Sequence, residues 1–326
     1  MGNQSLTIGK DAAVQALAVF CSEKSHIVLV TGGAAYGLCG AEKFFDDFFA
    51  GHSVSRVTHL VVPAANPKVE TVECLLSQIS GDVDGFIAVG GGTTIDTTKL
   101  INLAIVSQKP VKTLLTAGTT PEALKPCLAI PTTAGSGAEA TRFAVCYDGE
   151  GKYSVDFEAI RPTDVALIPE FTATLSAYQK ACTNFDAYAQ AVESLWAKGA
   201  TDESKRYANR ALALMKVNNW PEASYWAGRA IDISRTTAAH AFSYYLTSHY
   251  GIPHGHSVYM AFEYICRNNR HPEYIKKVSG LKTLRELAEE KGVAWGVMVD
   301  DLFNHVNLKR LGNNPVEVRR ESFEVL

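Results

Sequence analysis

Five short runs of aliphatic and β-branched residues decide most of what this chain can become: "HIVLVT" (26–31), "VTHLVVP" (57–63), "GFIAVG" (85–90), "CLAIP" (127–131) and "DVALIP" (164–169). Between them, "GAEKFFDDFFA", "KVETVECLLSQIS" and "TIDTTKLINLAIV" repeat apolar residues at three- and four-residue spacing, as half-buried helices do. Strand and helix in alternation is the pattern of parallel strands joined by crossover helices. Residues 1–169 are therefore predicted to form an α/β domain with an open, doubly wound parallel sheet. After Pro169 the strand pattern stops, and helical stretches alternate with breaks such as "VNNWPE", "YGIPHGH" and "LGNNP". Residues 170–326 are predicted to form a second, all-helical domain, since 326 residues exceed what one core usually organises. A cleft between two such domains is the usual place for a ligand.

Composition narrows the partners. With 47% hydrophobic residues, 20% charged residues and a formal charge of −3, the chain is built for a large core and carries no basic footprint for nucleic acid or an anionic membrane. A small-molecule substrate remains. No apolar run approaches the roughly 20 residues needed to span a bilayer. The polar opening "MGNQSLTIGK" lacks the regions of a signal peptide, so the expected location is the cytoplasm. Seven scattered cysteines with no C-x-x-C pair read as reduced core residues.

Two turns carry the first functional signal. "AVGGGTTIDTTK" (88–99) puts Gly90, Gly91, Gly92 and Thr93 between a buried strand and a helix start, where exposed N–H groups and the helix dipole suit a pyrophosphate. "IPTTAGSGAEATRFAV" (130–145) ends another strand in Thr132, Thr133, Gly135, Ser136 and Gly137, a loop rich in small donors, and two such loops can hold one nucleotide. The first strand closes with Gly32 and Gly33, leaving no carboxylate to bind a ribose 2′-hydroxyl or repel a 2′-phosphate, which leans toward NADPH over NADH.

The helical half supplies candidate chemistry. Asp186 and Gln190 lie one turn apart in "TNFDAYAQAVESLW" (183–196), so they can face a common target. His240, His249, His254 and His256 crowd into residues 236–257, with Pro253 and Gly255 bending the chain around His254. His249 reads as a surface residue. A divalent metal would accept Asp186 and His254, with Gln190 as a weak oxygen donor and His256 or His240 as a third strong one. Asp186 alone equally suits a helix-start residue opposing the N-terminal dipole.

The motifs G-G-G-T-x-x-D-x-x-K, P-T-T-x-G-S-G-x-E, D-A-x-x-x-A-x-E and A-H-A-x-S…G-x-P-H-G occur in this order along the chain. In that order they resemble the iron-containing, group III alcohol dehydrogenases, whose architecture is that of dehydroquinate synthase. Within that family the segments around Asp186 and His254 look most like the branch that reduces phosphonoacetaldehyde to 2-hydroxyethylphosphonate. The resemblance implies an oxidoreductase using NAD(P)H, with Asp96 and Lys99 added to the cofactor set. It also implies a divalent metal, Fe2+ or Zn2+, held by Asp186 and His254, and a dimer by analogy. His240 matches the family's histidine near the nicotinamide, and with His254 it is the expected catalytic pair. Gln190 and Thr236 stand where the family places two further histidine ligands, and both are weaker, neutral donors than imidazole. The chain is also shorter than usual members, around 215–224 and after Cys266. Arg235 and Arg142 are the candidate cations for an anionic substrate. A general alcohol dehydrogenase and a catalytically impaired nucleotide-binding homologue are the alternatives.

Overall fold

The computed structural model describes residues 4–63, 66–116, 121–149 and 151–324, apart from the side chain of residue 152. It divides into two compact units, Met1–Thr133 with Ala138–Leu175, and Ala134–Gly137 with Ser176–Leu326.

Among the described residues the first unit contains eight strands: β1 (Ser5–Ile8), β2 (His26–Gly32), β3 (Arg56–Val62), β4 (Gly85–Gly90), β5 (Cys127–Pro131), β6 (Phe143–Asp148), β7 (Gly151–Asp156) and β8 (Asp164–Leu167). Six form one sheet in the order β1-β8-β5-β4-β2-β3, and every pairing in it is parallel. Side chains alternate across it as a strand requires. Ile27, Leu29, Ile87 and Val89 face the helices Lys10–Cys21 and Ala41–Gly51, while Val28, Val30 and Phe86 face Val69–Leu76 and Gly92–Ser107. Helices on both faces make the sheet doubly wound, which explains why β2, β4 and β5 are apolar almost throughout.

The five strands read from sequence are all present. Missed were β1, an edge strand of four residues, and the β6–β7 antiparallel hairpin that forms a separate two-stranded sheet. β1 and β7 mix polar with apolar residues and show no buried-strand pattern, while the apolar β6 directly follows the glycine-rich loop and its first residues, Phe143–Val145, were read with that loop. Of the seven cysteines, six are buried as expected and Cys74 is exposed.

The second unit is helical, with a core rich in alanine: Ala187, Ala191, Ala208, Ala227, Ala230 and Ala239 are all fully buried. Small side chains let helices pack closely, and the aromatic residues Phe185 and Phe262 fill the remaining space edge to face. Its central helix, Ala177–Trp196, opens on a Ser176–Gln179 capping box. Asp186 therefore lies well inside a helix and does not serve at its start. Among the described residues no helix is long and apolar enough to cross a membrane.

Candidate active site

In the sheet unit, β2 and β4 are neighbours, while the chain leaves β2 for β3 on the opposite side. That is the topological switch where open α/β sheets bind ligands beyond the strands' carboxyl ends. Both strands end here in glycine for a steric reason. A Cβ on Gly90 would lie 2.4 Å from Thr94 Oγ1, and one on Gly32 would lie 2.9 Å from the same oxygen. The helix Gly92–Ser107 begins at Gly91 with no side-chain cap and no acid in its first turn. Uncapped N–H groups and no competing carboxylate fit the phosphate of a dinucleotide.

Asp96 and Lys99 face elsewhere. Lys99 is buried and donates to the carbonyls of Ala138 (2.6 Å), Thr141 (2.9 Å) and Phe143 (2.6 Å), while Asp96 Oδ2 accepts from the Val145 amide at 3.0 Å. They tie the helix to β6 and the segment before it. Thr132 is buried, its amide bonded to the Gly90 carbonyl at 3.0 Å, which joins the ends of β4 and β5. A Cβ on Gly91 would sit 3.3 Å from the Thr133 side chain, so that turn is also crowded.

Gly135, Ser136 and Gly137 belong to the helical unit. A Cβ on Gly135 would meet the Thr183 carbonyl oxygen at 2.7 Å, and Gly137, at φ +63°, approaches Gly228 closely. Packing against the helices Ala177–Trp196 and Trp220–Ser234 thus requires these two glycines. The Ser136 carbonyl accepts from Gln190 Nε2 at 3.3 Å.

Asp186, Gln190 and Glu193 follow one another at i, i+4 and i+7, and all three are buried. The His240 ring spans the two acids: Nε2 lies 3.2 Å from Asp186 Oδ1, and Nδ1 lies 2.5 Å from Glu193 Oε2. His254, whose side chain is 36% exposed, brings Nε2 to 3.9 Å from Asp186 Oδ1. Burial alone would lower the pKa of His240, but the two carboxylates raise it to about 9. Burial likewise works to raise the pKa of Asp186, yet His254 and His240 hold it below the ordinary carboxylate value.

Ligand atoms of Asp186, His240 and His254 all lie within 4.8 Å of one another. Gln190, one turn after Asp186, hydrogen-bonds Asp186 through its amide, and its Oε1 is buried with no hydrogen-bond partner. One carboxylate, two imidazoles and a spare amide oxygen fit a divalent transition ion. The residues alone offered His240 or His256 as a third donor and the family resemblance implied a place for His240 near the nicotinamide; the fold groups His240 with Asp186 and His254.

His256 is not a further donor. Its Nδ1 accepts from Tyr178 Oη at 2.8 Å and its Nε2 donates to the Lys282 carbonyl at 2.9 Å, so it braces the helices as a neutral ring, and burial keeps its pKa low. His249 is exposed and stacks on Tyr245, in line with its reading as a surface residue. Thr236 is buried. Arg142 is engaged by Asp156 (3.1 Å) and Glu158 (3.4 Å), and Arg235, half-buried at φ +62° directly before the Thr236–Thr237 segment, donates from Nη1 to the Asp232 carbonyl. Glu193 is the residue that sequence reasoning left without a role. Its signals were an acid on the apolar face, two turns after Asp186, and its place as the closing acid of the D-A-x-x-x-A-x-E motif.

The chain is 32% identical to phosphonoacetaldehyde reductase of Streptomyces viridochromogenes over 64% of its own length and 58% of the relative's. It is 30% identical to the NAD-dependent methanol dehydrogenase of Bacillus methanolicus over 61% and 60%. The matches thus span less than two thirds of either relative. Among solved structures, sulfoacetaldehyde reductase from Bifidobacterium kashiwanohense, determined in complex with NAD+, superposes with a TM-score of 0.84 at 23% identity, covering 99% of this chain and 96% of that one. That likeness shows a shared fold. The model of the iron-containing alcohol dehydrogenase family matches residues 3–169, just over half of the chain, and the protein belongs to that family.

Proposed function

We propose that this protein reduces a small anionic aldehyde to a primary alcohol with NAD(P)H, and that the reaction is phosphonoacetaldehyde to 2-hydroxyethylphosphonate. The observation that carries the reading is the convergence of Asp186, His240 and His254 inside a chain of this family. The names of the phosphonoacetaldehyde and sulfoacetaldehyde reductases, both aldehydes with an anionic group, support the substrate class. When bound, the dinucleotide supplies hydride and a divalent ion supplies Lewis-acid polarisation of the carbonyl oxygen.

The chain's own residues do the rest. The Gly90–Gly92 turn and Thr93 present N–H groups to the pyrophosphate, with Thr132 and Thr133 beside them. Asp186, His240 and His254 would hold the ion, with Gln190 Oε1 as a weak fourth donor. His254 is the more exposed imidazole, and Ser243 Oγ lies 3.4 Å from its Nδ1 while donating to the His240 carbonyl. With its own hydrogen on that carbonyl, Ser243 Oγ accepts from His254 Nδ1, which leaves Nε2 as the nitrogen nearer Asp186. If no ion binds, a proton on His254 Nε2 passes to the oxygen that gains the electron pair.

Oxidation of NADPH and of NADH with phosphonoacetaldehyde, with and without chelator and alongside metal analysis, tests the reading. The expected result is consumption of cofactor, faster with NADPH, that falls on chelation. No consumption of either cofactor would overturn the reductase. A catalytically impaired homologue is the second reading, favoured by Gln190 and Thr236 at the family's histidine positions. It expects dinucleotide binding without turnover over a panel of aldehydes. Arginine substitutions give a further prediction. Arg235→Ala is expected to raise KM for phosphonoacetaldehyde about tenfold or more, the loss of one charge-assisted contact, while leaving acetaldehyde turnover within a factor of about two. Arg142→Ala, which strips a cation from Asp156 and Glu158, is expected to change neither. Steady-state kinetics with both aldehydes checks the pair.

A further inference from the structure

We propose that Glu193 is the positioning residue of the site, holding the His240 ring so that its Nε2 is delivered to Asp186. The proposal rests on the reading that His240 acts beside Asp186 and His254, and it concerns a residue that the reading does not use. Glu193 is wholly buried, and both of its oxygens are occupied. Oε1 accepts from Thr237 Oγ1 at 2.7 Å and from the Ala239 amide at 2.9 Å. Oε2 accepts from the Thr237 amide at 3.1 Å and from His240 Nδ1.

Two of these four bonds, from the Thr237 and Ala239 amides, cap a helix. Ala238–Tyr250 starts after Thr237, whose own side chain makes no cap bond. Glu193, from the helix Ala177–Trp196, supplies the cap in its place and sets a carboxylate at the positive end of the dipole. The fourth bond falls on a ring in that helix's first turn. One carboxylate therefore fixes the start of the helix and the orientation of its imidazole together. Because Glu193 Oε2 can only accept, Nδ1 must carry a proton, and Nε2 is the nitrogen left to face Asp186. Asp186 and Glu193 are two turns apart on one helix face, so the ring is gripped from both sides of a rigid rod. A group serving only as a cap would have no call on the ring, and a neutral acceptor would serve there as well.

Glu193→Gln separates the two roles, since the amide keeps the size but turns one acceptor into a donor that faces donors. Three measurements on the full chain apply: nitrogen-resolved proton NMR of His240, calorimetric titration with Zn2+, and NADPH binding by fluorescence. In the unmutated protein the His240 Nδ1 proton is expected to appear far downfield at every pH from about 6 to 8, as a short N–H···O bond demands. In Glu193→Gln that signal is expected to vanish and Zn2+ affinity to drop about 10- to 100-fold, with NADPH affinity changed less than about twofold. Thr237→Val is the structural control, because it removes the hydroxyl contact to Glu193 and leaves the two amide contacts and the ring contact in place; its Zn2+ affinity is expected to match the unmutated protein. Equal losses in the two variants, or an unchanged His240 signal in Glu193→Gln, would overturn the proposal. Should Glu193→Gln not fold, an unprotonated His240 Nδ1 in the unmutated protein overturns it, and a protonated one supports it. Should the unmutated protein take up no Zn2+, the ion in the proposed function falls, and the NMR signal alone decides the role of Glu193.

Discussion

Gly255→Ala is expected to cut kcat/KM by about 100-fold, the scale of a 1 Å misplacement, and to lower the melting temperature by several degrees. Gly255 is the second residue of the helix His254–Asn268, where that helix crosses Ala177–Trp196. A Cβ there would lie 2.0 Å from the Cys182 carbonyl oxygen and 3.1 Å from Asp186 Cβ. Neither is the end of a flexible side chain, so the helices must part by on the order of 1 Å to restore ordinary contact. Overpacking of this kind costs roughly 1–3 kcal/mol and sometimes more. The displaced residue next to it is His254, whose distance from Asp186 would grow directly. Thermal melts and steady-state kinetics check both parts. An alanine variant with the parent's rate would show that His254 does not need its present place.

The second large effect concerns charge. Glu139 is buried, its Oε1 has no hydrogen-bond partner, and burial lifts its pKa to about 7. Its own backbone amide and Lys99 oppose that shift, and Asp96 adds to it. The unfolded chain ionises this carboxyl near 4.5, so at pH between about 4.5 and 7 the folded state holds a proton that the unfolded state has released. Stability from this group is therefore fully present below about 4.5 and is lost as pH rises through about 7. The full difference is on the order of 3 kcal/mol, from 1.36 kcal/mol per pKa unit. Glu139→Gln has no charge to bury. It is expected to raise the denaturant midpoint at pH 8 and to change it little at pH 4.5. A stabilisation independent of pH would rule out this account.

These two positions also show what can be read before a fold is known. The strands β2, β4 and β5 were legible because their aliphatic runs pack on both faces and leave no room for a polar alternation. The pairing of Asp186 with Gln190 was legible because helical spacing alone puts them in line. The hairpin β6–β7 was not, since β7 alternates polar and small residues and the apolar β6 runs straight on from a glycine-rich loop.

The chain's own order of residues was enough to determine the sheet-then-helix division, the glycine turn at Gly90–Gly92 and the identity of Asp186 and His254 as candidates, because each follows from local spacing and backbone sterics. Only the tertiary structure decided that His240 joins Asp186, 54 residues away, and that Glu193 grips the same ring from 47 residues away. It also decided that His256 and Lys99 are spent on carbonyls and that Gly255 is a point of helix contact. Hydrogen bonds and steric contacts of that range depend on how helices cross, and a crossing is set by packing of whole surfaces, which no short stretch of sequence contains.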